Sequence, residues 1–376
     1  MAITQKEIAE KTGVSQALVA TILGNRQNSR IRASEETRRR VLEYAQRHDY
    51  RPNTAARALQ SGKTHTVACM YIRHIDYNLR AALAYINEIL AQNLGAHGYT
   101  LAVKVFEDQA ALRRSLLDIC HARSADAVVL GGPHDAVLEQ GEAIESLGLP
   151  FVVQGNFTLT HPEWLQVDFD QYRMMQTCVR FLADRGNRKI AYIGFEFNAP
   201  FVLEQIAGYK DAMRELLGSE PPAGYVGRWE TTRNVASLID TWFDLPLAEQ
   251  PTAYVIGSNN AWSEVERALA RRGLRIGYGA GDIAATGVAS LPSALMAGHG
   301  HVFAVTEDGV PDGWFQTGTA MANKLLIPLL KGEKIASPVY RIMPELVETV
   351  PHPDRFFSSL FDQFIQAQPL LPTPPK

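Results

Sequence analysis

Three small or polar residues on one face of a predicted helix have the side chains that read DNA bases. Over residues 16 to 23 the apolar positions recur at helical spacing and leave Gln16, Ala17 and Thr21 on the outward face. The Gln16 amide can pair with adenine, the Ala17 methyl can meet a thymine methyl, and the Thr21 hydroxyl can donate or accept. The pattern predicts a helix that approaches base edges closely.

Two further helices are predicted to hold this face in place. Thr4 with Glu7 fits a capping box for a first helix that Gly13 can end, and Ser15 can cap the second helix. A third helix is predicted to begin near Ser34. Its predicted core positions are Val41, Leu42 and Ala45. Two helices joined by a glycine turn and followed by a third helix form the helix-turn-helix arrangement. Small three-helix domains also serve as protein-interaction modules, which is the alternative.

Charge is distributed unevenly along the chain. The formal net charge is -3, but residues 1 to 63 hold twelve Lys or Arg against six Asp or Glu, so this segment carries +6 and the remainder -9. A basic head on an acidic body is expected when only the head meets phosphate. We also find no signal-peptide pattern and no apolar run of about 18 residues, which predicts a cytoplasmic protein without a membrane partner.

The three cysteines predict no metal site and no disulfide framework. Cys69, Cys120 and Cys178 lie far apart inside apolar stretches, a spacing that suits neither. We expect them to be buried thiols in a reducing compartment. The sequence therefore predicts no metal and no cofactor.

The segment that follows the head has a second DNA-binding signal. A proline and a candidate cap at Asn53 begin a stretch that is too short to form a stable helix in isolation. Ala56 and Leu59 lie on one side of it, where a leucine can wedge between base steps in the minor groove. An ordinary interdomain linker is the alternative.

From residue 65 onward, short β-rich runs alternate with helical segments, which predicts parallel sheets with helices on both faces. Such a length can form two lobes with a ligand cleft at the carboxyl ends of the strands. The runs are HTVACMYI, YTLAVKV, DAVVLGG, PFVVQG, KIAYIGF, TAYVIGS, DIAATGV and HVFAVTE.

The stretches ITQKEIAEKTGVSQALVATILG and YRPNTAARALQSGKTHTVA resemble the head and hinge of the lactose repressor (LacI/GalR) family. The resemblance extends from about residue 3 to about 351 through phrases such as LADRGNRKIAYIG and GTAMANKLLIPLLKGE. It implies a small all-α helix-turn-helix head and a two-lobed α/β body like a periplasmic sugar-binding protein. It also implies a homodimer on a double-stranded operator, with hinge helices that insert Leu59 into the minor groove. The candidate DNA contacts are Thr4, Ser15, Gln16, Ala17, Thr21, Asn25, Thr37, Arg38, Asn53, Ala56 and Leu59.

The ligand positions of the body depart from the family pattern. Gln205 stands where the family commonly has arginine, Ser258 and Asn259 where it has Asn-Asp, and Gly155 where it has aspartate. The guanidinium group of arginine and the carboxylate of aspartate can each bind two neighbouring sugar hydroxyls, and both groups are missing at these positions. Trp229 is either a platform for the effector or a packing residue. The candidate effector contacts are Ile72, Arg73, Asp76, Gly155, Gln205, Trp229, Ser258, Asn259, Ala289 and Glu307.

Two interpretations follow for the cleft. Either the small-molecule effector is an atypical sugar or sugar derivative, or the cleft is vestigial and a protein partner or abundance controls the regulator. An enzyme is a rival class, but the sequence has no GxSxG, Walker or HExxH motif. A ligand-binding transport protein would have no use for the basic head. Repression is the expected mode, although the sequence does not distinguish it from activation.

These patterns predict a domain layout. The head is predicted at 1–50, the hinge or linker at 51–64, the body at 65–355 and an amphipathic tail at 356–376. Within the body, one lobe is predicted over 65–165 and 307–335, and the other over 166–303 and 337–351. The short tail more readily docks on its own body than builds a tetramer, which stays the alternative.

Overall fold

The computed structural model describes most of the body and the three helices of the head. The described residues are 3–23, 33–50, 62–72, 77–196, 198–229, 235–258, 261–279, 281–288, 301–303, 313–342 and 346–348. The chain divides into two compact units, Met1–Thr64 and His65–Lys376.

The described part of the first unit is built of three short helices around a small apolar core. They are α1 (Gln5–Thr12), α2 (Gln16–Leu23) and α3 (Glu35–Arg47). One aliphatic side chain from each helix is completely buried in their shared core; these are Ile8, Val19 and Val41. Packing of this core, rather than intrinsic propensity, must stabilise helices this short.

One predicted core position of the head is wrong. Leu42 was expected to be buried, but its side chain is 41% exposed. Val41 and Ala45 are spaced four residues apart and share the buried face of α3. Leu42 follows Val41 by about 100° of helical rotation and therefore lies outside that face.

The first sheet of the body has six parallel strands in the order β11-β5-β4-β3-β1-β2. Its strands are β1 (Thr66–Ile72), β2 (Thr100–Phe106), β3 (Ala127–Gly131), β4 (Phe151–Gln154), β5 (Leu165–Phe169) and β11 (Val339–Ile342). The central strand β3 is buried at every position, as expected for a parallel strand with helices on both faces.

Helices cover both faces of this sheet, with one apolar cluster beneath each layer. They are α4 (Tyr77–Ala96), α5 (Gln109–Ala122), α6 (His134–Leu147), α11 (Gly313–Ala320) and α12 (Ile327–Lys331), with a π-helical segment at Met321–Leu326 between the last two. At Gly141 the helix α6 approaches Trp164 so closely that a Cβ would overlap the indole ring.

The second sheet has four parallel strands in the order β7-β6-β8-β9. Its strands are β6 (Ile190–Phe195), β7 (Val226–Trp229), β8 (Ala253–Ile256) and β9 (Ala284–Gly287), and its helices are α7 (Gln171–Asp184), α8 (Pro200–Leu217), α9 (Val235–Phe243) and α10 (Ala261–Ala270). A separate antiparallel pair joins β10 (His301–Phe303) to β12 (Leu346–Glu348).

The observed sheets differ from the predicted lobe boundaries. The boundary expected between 165 and 166 falls inside β5, which pairs with β4 and β11 of the first sheet. The segment from 337 was expected in the other lobe, yet β11 pairs in register with β5. Strand pairing keeps both β5 and β11 in the first sheet, so the chain passes to the second lobe only after Phe169.

Among the described residues, no helix is long and apolar enough to cross a membrane. All three thiols are free, and Cys69 and Cys178 are buried as expected. Burial raises the pKa of the Cys69 thiol to about 12. Cys120 is only half-buried, because it lies on α5 beside the core position Ile119 rather than within it.

We predict that Gly208→Ala destabilises the body. In this structure α7 and α8 touch at Gly208, where a Cβ would overlap the backbone carbonyl of Tyr172. The backbone must shift to admit a methyl group, which costs about 1–3 kcal/mol in the free energy of unfolding. Urea denaturation measures this loss.

Gly95→Ala is the matched control for this substitution. Gly95 also lies in a helix, but nothing lies within 4 Å of a Cβ placed there. Alanine should stabilise this exposed helical site by up to about 1 kcal/mol. Equal losses in the two variants would contradict the close approach at Gly208.

Candidate nucleic-acid interface and ligand cleft

The caps of the head are formed as the sequence predicts. The Thr4 hydroxyl accepts from the Glu7 amide at 3.2 Å, and the Glu7 carboxylate accepts from the Thr4 amide at 2.7 Å. These bonds lower the pKa of Glu7. Gly13 ends α1 in the left-handed conformation at φ 67°. The turn into α2 is therefore fixed at both sides.

The outward face of α2 has the predicted residues. Gln16 and Ala17 are exposed, and Thr21 is half-buried. The opposite face is packed, since Val19 is fully buried and Ile22 is 3% exposed. The Thr21 hydroxyl donates to the Ala17 carbonyl at 2.9 Å, so it keeps acceptor capacity toward an external donor. The helix thus presents one rigid, small and polar surface.

The predicted backbone-contact residues lie at helix starts. Ser15 is exposed and its hydroxyl accepts from the Leu18 amide at 3.2 Å. The Ser34 hydroxyl caps α3 by accepting from the Thr37 amide at 3.2 Å and donates to the Thr37 hydroxyl at 2.9 Å. Arg38 follows on the half-buried side of α3. Helix starts present amide groups and a positive dipole end to anions such as phosphate.

The rest of the predicted DNA surface lies outside the described residues. This applies to Asn25 and to the hinge residues Asn53, Ala56 and Leu59. The hinge segment 51–61 and the tail 356–376 are likewise outside them.

The candidate effector residues that are described lie at strand ends of both sheets. Ile72 ends β1, and Gly155 follows β4 with φ 127°, a backbone conformation that suits glycine. Trp229 ends β7, and Ser258 follows β8 after one glycine. Because ligands of open parallel sheets bind at the carboxyl ends of the strands, these positions are compatible with the predicted cleft.

Gln205 is held in a buried hydrogen-bonded chain. Its side-chain oxygen accepts from the Tyr192 hydroxyl at 2.8 Å, and its amide donates to the Gln171 side-chain oxygen at 2.8 Å. Gln205 is only 2% exposed. The chain passes close to Gly257, where a Cβ would lie 2.6 Å from the Gln205 oxygen. The middle of β6, the end of β8, the start of α7 and the first turns of α8 therefore meet at this residue.

Trp229 and Ser258 are also buried. Trp229 is 9% exposed and stacks on Phe195, with ring centroids 5.5 Å apart and an interplanar angle of 29°. Ser258 is 2% exposed. Within the described part of the protein, neither the Trp229 indole N–H nor the Ser258 hydroxyl has a hydrogen-bond partner. Trp229 packs in the core as described here, and its use as a platform for the effector stays a prediction.

The other candidate effector residues, Arg73, Asp76, Asn259, Ala289 and Glu307, lie outside the described residues. Trp262, in the first turn of α10, is 2% exposed, and its indole N–H donates to the Val288 carbonyl at 2.6 Å.

An ionic group between the lobes was missed by the sequence analysis. Arg341 on β11 contacts the Glu204 carboxylate of α8 through both terminal nitrogens, at 3.1 and 3.4 Å. It also lies 4.0 Å from the carboxylate of Asp168 on β5. Burial raises the pKa of Asp168 to about 7 and also raises the pKa of Glu204. No motif marks these residues, because they come from three distant segments.

One group in the described residues has the side chains of a metal site. The potential ligand atoms of Glu145, His161 and Glu163 lie within 4.8 Å of one another. His161 already contacts Glu163 at 3.1 Å and Glu142 at 3.5 Å, and its ring stacks on Trp164. Ion pairing and stacking account for this arrangement.

Curated proteins similar to this chain are transcription regulators. Catabolite control protein A of Streptococcus mutans is 28% identical over 218 residues, which are 57% of this chain and 61% of that protein. The repressor CytR of Escherichia coli K12 is 25% identical over 279 residues, 73% of this chain and 77% of that protein. In the first four such relatives the chain spans only 60–62% of their length. No family profile matches the chain.

Solved structures share the fold over nearly the whole chain. A lac repressor dimer bound to operator and an anti-inducer has a TM-score of 0.69 and 16% identity, covering 93% of this chain and 99% of that chain. A CelR–cellobiose complex has a TM-score of 0.62 and 20% identity, covering 93% of this chain.

The chain is similar in sequence to these transcription regulators and in fold to the lac repressor. The predicted fold class, a helix-turn-helix head with an α/β two-lobed body, is confirmed. The named relatives are regulators and not enzymes, in agreement with the prediction.

We predict that Tyr192→Phe destabilises the body because it removes the donor to a buried acceptor. The Gln205 oxygen would be left without the Tyr192 hydroxyl at a site that water does not reach. Such a loss costs about 1–3 kcal/mol in the free energy of unfolding, measured by urea denaturation.

Tyr225→Phe provides the comparison. The Tyr225 hydroxyl donates at 2.7 Å to the carbonyl of Glu249, an exposed residue whose carbonyl water can satisfy. Tyr225→Phe should therefore lower the free energy of unfolding by less than Tyr192→Phe does. A neutral effect of Tyr192→Phe would show that the buried chain contributes nothing to stability.

Proposed function

We propose that this chain is a sequence-specific DNA-binding transcription regulator that binds a near-palindromic operator as a homodimer. The observation that supports this most strongly is the outward face of α2, where Gln16 and Ala17 are exposed while Val19 fixes the helix from below. A recognition helix needs this combination, because base edges are read by small polar groups held on a rigid support.

The surroundings of α2 support phosphate contact on either side of it. The starts of α2 and α3 have Ser15 and Thr37, and Arg38 adds a positive charge. In this proposal Ser15, Thr37 and Arg38 set the position of the head on the backbone, while Gln16, Ala17 and Thr21 carry the sequence preference. Residues 1–63 include twelve basic and six acidic residues, so this segment has the net positive charge that phosphate contact requires.

A dimer fits the edge of the first sheet. On the edge strand β2, the side chains of Val103 and Val105 are 45% and 46% exposed. An edge strand with exposed valines can pair with other chains and aggregate unless another surface covers it. We therefore propose that the two bodies associate near β2 and hold two heads at half-site spacing, about 34–36 Å or a multiple of it.

We further propose that a small molecule binds between the lobes and changes the DNA affinity of the head. Its contacts would include Trp229 and Ser258, whose buried polar atoms have no partner within the described residues. The side chains of Trp229 and Ser258 are neutral, so the part of the ligand that they contact is expected to be uncharged, carbohydrate-related or otherwise. Lobe movement would alter hinge pairing and thereby operator affinity. In this proposal the regulator represses and acts in the cytoplasm.

One observation favours a second candidate, a regulator with a vestigial cleft that a protein partner or abundance controls. Gln205 stands at the position of a ligand-binding arginine in the family, yet both ends of its side chain are bonded within the protein. A ligand would have to replace the bonds to Tyr192 and Gln171 before it could use this amide.

The test is binding of purified full-length protein to fragments of its own gene neighbourhood at two salt concentrations. The salt dependence reports phosphate neutralisation, and footprinting reports sequence preference. Sugars, sugar phosphates and nucleosides are then added to the specific complex.

The outcomes distinguish the candidates. A footprinted near-palindrome with steep salt dependence, shifted by one compound, supports the regulator with an effector. Specific binding that no compound changes supports the vestigial cleft. Absence of even non-specific DNA affinity would overturn the regulator proposal.

We predict that Gln16→Ala weakens specific binding about 10- to 100-fold, because a bidentate amide contact to adenine contributes roughly 1–3 kcal/mol of discrimination. Non-specific affinity should stay unchanged, since Gln16 carries no charge. Fluorescence anisotropy with footprinted and scrambled duplexes measures both.

Gln46→Ala removes an equally exposed glutamine from α3. This variant should bind the footprinted duplex as the wild type does. If Gln16→Ala also binds it unchanged, α2 does not read bases through this residue.

A further inference from the structure

Four polar side chains from separate segments meet where the two lobes of the body join. Arg341 lies on the edge strand β11 of the first sheet, and Asp168 lies on the adjacent strand β5. Glu204 comes from the first turns of α8, which packs with the second sheet. Asn156, after β4, donates its side-chain amide to the Glu204 carboxylate. Glu204 is thus bonded from the first lobe by two donors.

The group has two carboxylates for one guanidinium. Arg341 contacts Glu204 at 3.1 Å but is 4.0 Å from Asp168, so Glu204 is its principal partner. Asp168 accepts from the Phe169 amide at 2.8 Å. Asp170, at the start of α7, adds a further negative charge near Glu204. Burial of both carboxylates beside a single cation disfavours their simultaneous ionisation.

The group is connected to the candidate effector site. The side chain of Gln171 lies near enough to Asp168 to lower the pKa of its carboxyl group, and its oxygen accepts from the Gln205 amide at 2.8 Å. A chain of polar contacts therefore runs from Asp168 to Gln205 and on to Tyr192 in the second lobe. A change in the contacts of Asp168 can therefore alter the hydrogen bonds of Gln205 and Tyr192.

We propose that Asp168, Glu204 and Arg341 form a proton-linked latch that holds the two lobes in the arrangement described here. With Asp168 protonated, Arg341 is committed to Glu204 and the lobes are bridged. With Asp168 ionised, its carboxylate competes for Arg341 within its own sheet, and the bridge to α8 weakens.

The direction of the pH effect follows from the burial of Asp168. Burial raises its pKa from the usual 3.8 to about 7 in the latched arrangement, while separation of the lobes exposes it and returns the pKa toward the usual value. The latched arrangement therefore takes up a proton. Its population falls as pH rises between these two values, by up to about tenfold per pH unit, and levels off above about pH 7.

The test measures the distance between the lobes in the full-length protein. Exposed residues on the two lobes, Asp118 on α5 and Ala270 on α10, are changed to cysteine in a Cys120→Ser background and labelled with a dye pair. Cys69 and Cys178 are buried and stay unlabelled. Single-molecule energy transfer is then followed from pH 5 to pH 8.5, a range chosen to bracket the raised pKa of about 7.

The proposal expects the ratio of the short-distance to the long-distance population to fall up to about tenfold per unit between pH 5 and 7 and then to stay constant. Asp168→Asn keeps the acceptor for the Phe169 amide but cannot ionise, so its profile should be flat with the short distance favoured. Glu204→Gln should favour the long distance at every pH, because it weakens the bridge itself.

Glu215→Gln is the matched control, since Glu215 lies on the same helix and is paired with Arg180 away from the group. It should keep the wild-type profile. The latch proposal would be overturned if the population ratio of the wild type did not change with pH, or if Asp168→Asn kept the pH dependence of the wild type. The distance is measured without DNA, so failure of the latch and failure of the proposed DNA binding are separate results.

Discussion

The constraint on which the body depends is burial of both faces of each parallel sheet. Because β3 and β8 are buried at every position, their strand interiors admit apolar side chains almost exclusively. Polar groups of the candidate effector site are thereby displaced to the carboxyl ends of strands and to the crossovers. There Gln205 and Glu204 are hydrogen-bonded, whereas the polar atoms of Trp229 and Ser258 have no partner among the described residues.

The same constraint explains which strands the sequence revealed. Runs such as DAVVLGG and TAYVIGS are apolar throughout and were recognised from the residues alone. The strands β5, β7, β11 and β12 were missed. Strand β5 includes Gln166 and Asp168, β7 and β11 each include an arginine, and β12 has only three residues. Gln166 is nevertheless 1% exposed, since its side-chain oxygen accepts from the Phe157 amide. Tertiary hydrogen bonds of this kind leave no local pattern in a sequence.

In the head, the sequence predicted more of the geometry, because the determinants are local. A capping box, a left-handed glycine and helical spacing of apolar residues are each contained within a few positions, and Thr4, Gly13 and Val19 behave as expected. The error at Leu42 arose from including a neighbour of the buried face. In the body, by contrast, the ionic group of Asp168, Glu204 and Arg341 joins residues up to 173 positions apart and could be found only from the fold.

Affinity selection of genomic fragments by the immobilised full-length protein would show whether it binds DNA sequence-specifically. Fragments of the source genome are incubated with the protein at near-physiological salt, and the retained DNA is sequenced. Sequence-specific binding by a dimer predicts a small set of enriched regions that share one near-palindromic motif, with half-sites about one helical turn or a multiple apart. Retention of DNA without any shared motif, or no retention above a blank support, would contradict it.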